Sequence, residues 1–118
     1  MQLRTLTLDE LHSAYALVRT RYDIDEQHFE DRIYEMRKEN YIMVGAFEQD
    51  ELVAYAGVAP TSSLAYGRSL YIHDIIVANG YDFDKYEAHL LLYLKDIAKI
   101  YGCEQLLFAQ EAPLRIAI

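Results

Sequence analysis

LYIHDIIVANGYDFDKYEAHLLLYLKDIAKIYGCEQLLF, Leu70–Phe108, is the stretch on which the fold turns. With Ser69 in front of it, it opens on a strand, Ser69–Val77, that ends in the apolar run Ile75-Ile76-Val77. An irregular segment, Ala78–Phe83, follows. Asp84 and Glu87 have the spacing of an N-terminal capping box, in which side-chain oxygens satisfy the first unpaired N–H groups of a helix. Leu90, Leu91, Leu94, Ile97, Ala98 and Tyr101 then recur at intervals of three and four, the signature of one buried helical face. Leu90, Leu91, Leu94 and Ile97 are therefore expected against a sheet, with Lys95, Asp96 and Lys99 in water. Gly102 is placed to close the helix in a left-handed conformation. A last strand is expected at Glu104–Phe108.

Upstream, the period is again strand-like from Tyr41. Tyr41–Glu48 reads as a strand, Gln49–Asp50 as a turn, and Glu51–Ala59 as the antiparallel return, closed by Pro60-Thr-Ser-Ser. Before it lie two helices. The first starts at a Thr7/Glu10 capping box and carries the stripe Leu8, Leu11, Ala14, Tyr15, Val18 and Tyr22. The second begins near Asp25 and buries Phe29, Ile33 and Met36, and its opposite, mixed-charge face is solvated. Gln2–Thr5 is a short first strand. The order β-α-α-β-β-β-α-β, followed by the tail Ala109–Ile118, gives an α/β fold: a mixed, mainly antiparallel sheet flanked by helices.

Length and composition narrow the function. A chain of 118 residues is expected to be one domain, 1–118. A net charge of −8 argues against a basic face for nucleic acid. No apolar run reaches the ~18–20 residues that cross a bilayer, and MQLRTLTLDE has no secretory pattern. Cys103 is the single cysteine, which excludes an intrachain disulfide and a Cys-based zinc site. A cytoplasmic address follows. Eleven tyrosines and no tryptophan make a biased aromatic choice, suited to interfaces and to half-buried positions alike.

Few residues stand out as chemistry. His73 and Asp74 are adjacent on one strand, on positions that should face opposite ways, and both residue types suit proton transfer near neutrality. Equally, they fit polar strand residues with satisfied hydrogen bonds. His12, His28 and His89 have no partner at metal-ligand spacing, so no metal site is expected. Cys103, beside a helix cap and an apolar strand, reads as a small hydrophobe. Asp82, Asp84 and Glu87 form an acidic helix start rather than a cation loop.

Three segments resemble the GNAT superfamily of N-acetyltransferases. MVGAFEQDELVAYAGVAP, Met43–Pro60, is similar to its second and third strands; LYIHDIIV, Leu70–Val77, to its fourth; KYEAHLLLYLKDIAKIYGCEQLLF, Lys85–Phe108, to its third helix and fifth strand. The resemblance implies acetyl-CoA as cofactor, an amine-bearing small molecule or protein as acceptor, and a proton-accepting role for Asp74 or His73. It also implies that the backbone at Ile75, Ile76 and Val77 polarises the thioester carbonyl. The family's pyrophosphate loop, Arg/Gln-x-x-Gly-x-Gly/Ala, starts five residues after that Val. Here those positions hold Asp82, Lys85 and Glu87, which leaves Lys85 as the one residue suited to a phosphate. The family then adds a fourth helix, bearing a Tyr as general acid, and a hairpin. Here Glu111–Ile118 contains no Tyr, as fits either a naturally short protein or a truncated one. Two functions follow: a binding or regulatory module that has lost efficient acetyl-CoA binding, or an active N-acetyltransferase with an atypical loop. The apolar last strand and tail, through Leu107, Phe108, Leu114 and Ile116, imply a homodimer.

Overall fold

The computed structural model describes residues 1–109. Five strands lie in chain order in one sheet: β1 (Gln2–Thr5), β2 (Ile42–Glu48), β3 (Glu51–Ser63), β4 (Gly67–Val77) and β5 (Gln105–Phe108). The first four are antiparallel neighbours, and β5 runs parallel to β4. The parallel pair needs a crossover, supplied by α3 (Phe83–Ile100). Between β1 and β2 the chain forms a single 3₁₀ turn, Leu8–Glu10, then α1 (Leu11–Val18) and α2 (Glu26–Arg37).

The two faces of the sheet carry separate cores. Under α3, Leu90 and Leu94 are fully buried against Val44, Val58, Leu70 and Ile72, with Ile97 beside them. Lys95, Asp96 and Lys99 point to solvent, as the stripe predicts, and Leu91 is only half-buried. On the other face Leu11, Leu17 and Val18 of α1 and Phe29 and Ile33 of α2 cover Met43, Phe47, Tyr55 and Ile76. Asp25 caps α2, its carboxylate accepting the His28 N–H at 2.8 Å. Gly102 closes α3 at φ +68°, a conformation open to glycine at little cost.

Three boundaries differ from the sequence expectation. The Thr7 N–H does donate to Glu10 at 3.0 Å, but the box opens a 3₁₀ turn. Glu10 also takes a two-pronged contact from Arg4 at 2.8 and 2.7 Å, which with the Thr7 N–H holds its carboxyl down at about 2. The first helix stops at Val18, so Tyr22 falls in the following loop. β3 runs through Pro60 to Ser63. β2 ends opposite Val58, so at Pro60 there is no second neighbouring strand to require the missing N–H. Among the described residues no helix is long and apolar enough to cross a membrane.

Leu94 is completely buried in the core between α3 and the sheet. Leu94→Ala should lower unfolding free energy by about 2–5 kcal/mol in a denaturant titration. A loss under roughly 1 kcal/mol would place the buried face of α3 elsewhere.

Candidate functional site

β4 is paired along its whole length by β3, but by β5 only over Ser69–Ile72. The last bond across that side joins the Ala109 N–H to the Ile72 carbonyl, 2.9 Å. Beyond it the two strands part. The Ala78 N–H donates to the Val53 carbonyl at 2.8 Å, and antiparallel alternation then turns the peptide groups of Asp74 and Ile76 toward β3. Those of Ile75 and Val77 face the wedge that β5 has left. Of the three backbone positions singled out in sequence, Ile75 and Val77 thus face the wedge, and Ile76 is occupied within the sheet. The wedge encloses about 220 Å³ between β4, β5 and the start of α3, with Arg21, Phe83, Glu87 and Phe108 around it. The Arg21 guanidinium reaches across to the Ile75 carbonyl at 3.4 Å.

Beside the wedge β4 carries a β-bulge. Gly57 pairs with Asp74 and Val58 with Ile72, which leaves His73 as an extra residue. Strict alternation would send His73 and Asp74 to opposite faces. The bulge overturns that expectation and brings both to the α1–α2 side. There the His73 ring lies 5.9 Å from the Tyr41 ring, centroid to centroid. Asp74 Oδ1 accepts a hydrogen bond from the Tyr22 hydroxyl. The Tyr41 and Tyr55 hydroxyls meet at 2.7 Å, both buried. Gly57 is required here, because a Cβ would stand 1.7 Å from the Tyr41 hydroxyl oxygen. Burial above all, with the Asp74 carboxylate adding to it, pushes both phenols up, so both keep their protons. One bond between two protonated hydroxyls uses one proton, and the other remains to be offered. Next to them a cavity of about 170 Å³ opens between α1, α2 and the sheet, with Asp74 on its wall. Sequence reasoning named His73 and Asp74 but missed Tyr22, Tyr41 and Tyr55. The excess of tyrosine was the only signal for them.

The segment between β4 and α3 departs from a phosphate cradle. α3 begins one residue earlier than the Asp84/Glu87 box implies, and its N-cap is Asp82. The Asp82 carboxylate accepts the N–H groups of Asp84 at 3.1 Å and Lys85 at 3.4 Å. Those are the donors a helix offers to a bound anion. Lys85 is in the first turn, exposed, with its ammonium 5.6 Å from the Tyr86 ring centroid. A pyrophosphate at this helix end would meet a carboxylate already seated there and two more, Asp84 and Glu87, within the same turn. The residues present do not fit the pyrophosphate of coenzyme A.

The remaining candidates have structural partners or surroundings. His12 pairs with Glu26 at 2.9 Å and His28 with Asp25 at 2.8 Å, both at the surface, and His89 is exposed on α3. Burial pushes the Cys103 thiol up, against activation as a nucleophile. Among the described residues no group of three or more His, Cys, Asp or Glu could hold a metal ion.

A five-stranded sheet, a crossover helix from β4 to a parallel β5, and a wedge where the two strands part form the frame in which known proteins are to be compared. The chain is similar in structure to an aminoglycoside 6'-N-acetyltransferase from Acinetobacter haemolyticus, with a TM-score of 0.82 at 11% identity, over 96% of this chain and 81% of that one. It is similar to a GNAT family acetyltransferase from Staphylococcus aureus, TM-score 0.77 at 10% identity, over 99% and 93%. A ribosomal-protein-alanine N-acetyltransferase from Brucella melitensis gives 0.78 at 18%, over 95% and 82%. At these identities the likeness shows the fold. No curated protein matches the chain. The sequence profile described as the Acetyltransferase (GNAT) family matches residues 6–117, nearly the whole length, and this chain belongs to that family.

Proposed function

We propose that this chain is a GNAT-fold binding or regulatory module that has lost efficient acetyl-CoA binding. One observation carries the reading: the Asp82 carboxylate occupies the N–H groups at the start of α3. Positions 82, 85 and 87 hold Asp, Lys and Glu where the family's loop has Arg or Gln and two small residues. The backbone therefore has no glycines for close approach, and the local charge is net negative. A cytoplasmic setting is proposed with it, from the lone cysteine.

The wedge favours a second reading. The peptide groups of Ile75 and Val77 face an open space of about 220 Å³, and His73 and Asp74 border it. An active N-acetyltransferase with an atypical loop would use that space. The two readings separate on affinity. A calorimetric titration of the full chain with acetyl-CoA is expected to show no saturation in the micromolar range, whereas a dissociation constant on the order of micromolar or better overturns the module reading. Asp82→Arg, Lys85→Gly and Glu87→Gly together should strengthen binding. Helical glycines cost about 1 kcal/mol each, so the folding of this variant is checked by thermal unfolding first.

We propose also that the chain acts as a homodimer. β5 is the last strand of the sheet among the described residues, and Phe108 on it is 59% exposed. An apolar strand edge of this kind is a template for pairing, and two copies satisfy each other through an isologous contact. Leu107 and Phe108 would lie at that contact; Leu114 and Ile116, expected there too, lie outside the described residues. Sedimentation at micromolar concentration should report two chains per particle, and Phe108→Asp should shift it toward one. A wild-type chain that sediments as a monomer contradicts the dimer.

A further inference from the structure

The cavity beside Asp74 has a chemistry of its own, separate from the wedge. Its walls are aliphatic or thioether in part, from Val18, Ile24, Ile33 and Met36, and aromatic for the rest, from Tyr22, Phe29, Tyr41 and Tyr55. Asp74 is the one acidic group on the wall, and Arg32 of α2, exposed to water, is the one basic group. At about 170 Å³ it compares with the roughly 150 Å³ apolar cavity that admits benzene. Its occupant is a compact group, and the carboxylate sets its sign as positive.

Counting donors and acceptors narrows the cation further. Tyr22 takes Asp74 Oδ1, so Oδ2 is the carboxylate oxygen left for a ligand. Tyr41 and Tyr55 are bonded to each other and have a proton to offer, not a lone pair in need of one. A primary ammonium brings three N–H donors and would find one acceptor, leaving the others unsatisfied in an apolar space. A tertiary ammonium brings one N–H, which Oδ2 accepts. A quaternary ammonium brings none and presents methyl groups to the aliphatic walls and a positive charge to the aromatic ones, the arrangement that recognises such cations elsewhere.

We propose that this cavity is a binding site for a small organic cation bearing an N-methylated ammonium, tertiary or quaternary, held by Asp74 and enclosed by Tyr22, Phe29, Tyr41 and Tyr55. Such a nitrogen has no hydrogen that an acetyl group could replace, so the site belongs with the binding-module reading and rests on it. A hydroxyl or carbonyl on the ligand would accept the proton left over from the tyrosine pair.

Choline, ethanolamine and the neutral isostere of choline, in which a tert-butyl group replaces the trimethylammonium, are the probes. They are titrated into the full chain by calorimetry or by amide chemical shifts. Choline should bind at least about tenfold more tightly than either of the others, as expected for a desolvated cation among aromatic rings. Asp74→Asn should weaken choline roughly tenfold, and Arg32→Gln should strengthen it, since the two charges act with opposite sign. Tyr22→Phe should retain binding and Tyr22→Leu should lose it, a pair that separates the ring from the hydroxyl. Equal affinity for the isostere overturns the cation claim. Ethanolamine binding as tightly as choline overturns the methylated class, and no saturation by choline overturns the site. These outcomes are independent of acetyl-CoA affinity, which tests the module reading alone.

Discussion

At His73, β4 contains one residue more than the strand it pairs with, and most of what is distinctive in this molecule depends on that insertion. A bulge adds local twist and breaks the alternation of side chains. Here it keeps His73 and Asp74 on the same face, under α1 and α2, where ordinary pleating would have sent one of them toward α3. It can exist only because Gly57 stands opposite, since the Tyr41 hydroxyl lies where a side chain at that position would begin. Just beyond the bulge β5 leaves the sheet, and the peptide groups of Ile75 and Val77 are turned to open space. Bulge, wedge and tyrosine cluster are consequences of one irregularity, supported by a rigid sheet with a core on each side.

The start of α3 poses a second, separate problem. Every helix has unpaired N–H groups at its N-terminus, and something must satisfy them. In a phosphate-binding GNAT loop the ligand itself contributes. Here the chain has an internal solution, because Asp82 bends its carboxylate onto the N–H groups of Asp84 and Lys85. The same negative charge that stabilises the helix dipole opposes an anion arriving from outside. Stability of the helix and affinity for a phosphate therefore pull against each other at this turn.

Much of the fold was legible in the sequence because it rests on periodicity. Leu90, Leu94 and Ile97 mark the buried face of α3, and Phe29 and Ile33 that of α2, through spacing alone. Gly102 marked the end of α3 for a conformational reason that belongs to glycine. What escaped was decided by tertiary context. Asp82 and Asp84 are equally good capping residues, and only the backbone path shows that the cap is Asp82. Pro60 reads as a strand breaker unless it is known that β2 has already ended beside it. The bulge leaves no trace in the order Ile72-His73-Asp74-Ile75, so the gathering of Tyr22, Tyr41 and Tyr55 around Asp74 could not be read from the chain.

The claim that matters most is that Asp82 stands in for a ligand phosphate at the start of α3. Its most direct test is the backbone amide resonances of Asp84 and Lys85, followed while inorganic pyrophosphate is added to the full chain. With the carboxylate already seated on those N–H groups, both resonances should stay where they are through millimolar pyrophosphate, on the order of the weakest specific binding. A saturable shift of both would mean that the anion displaces the carboxylate, and that the cofactor end of this fold is still open.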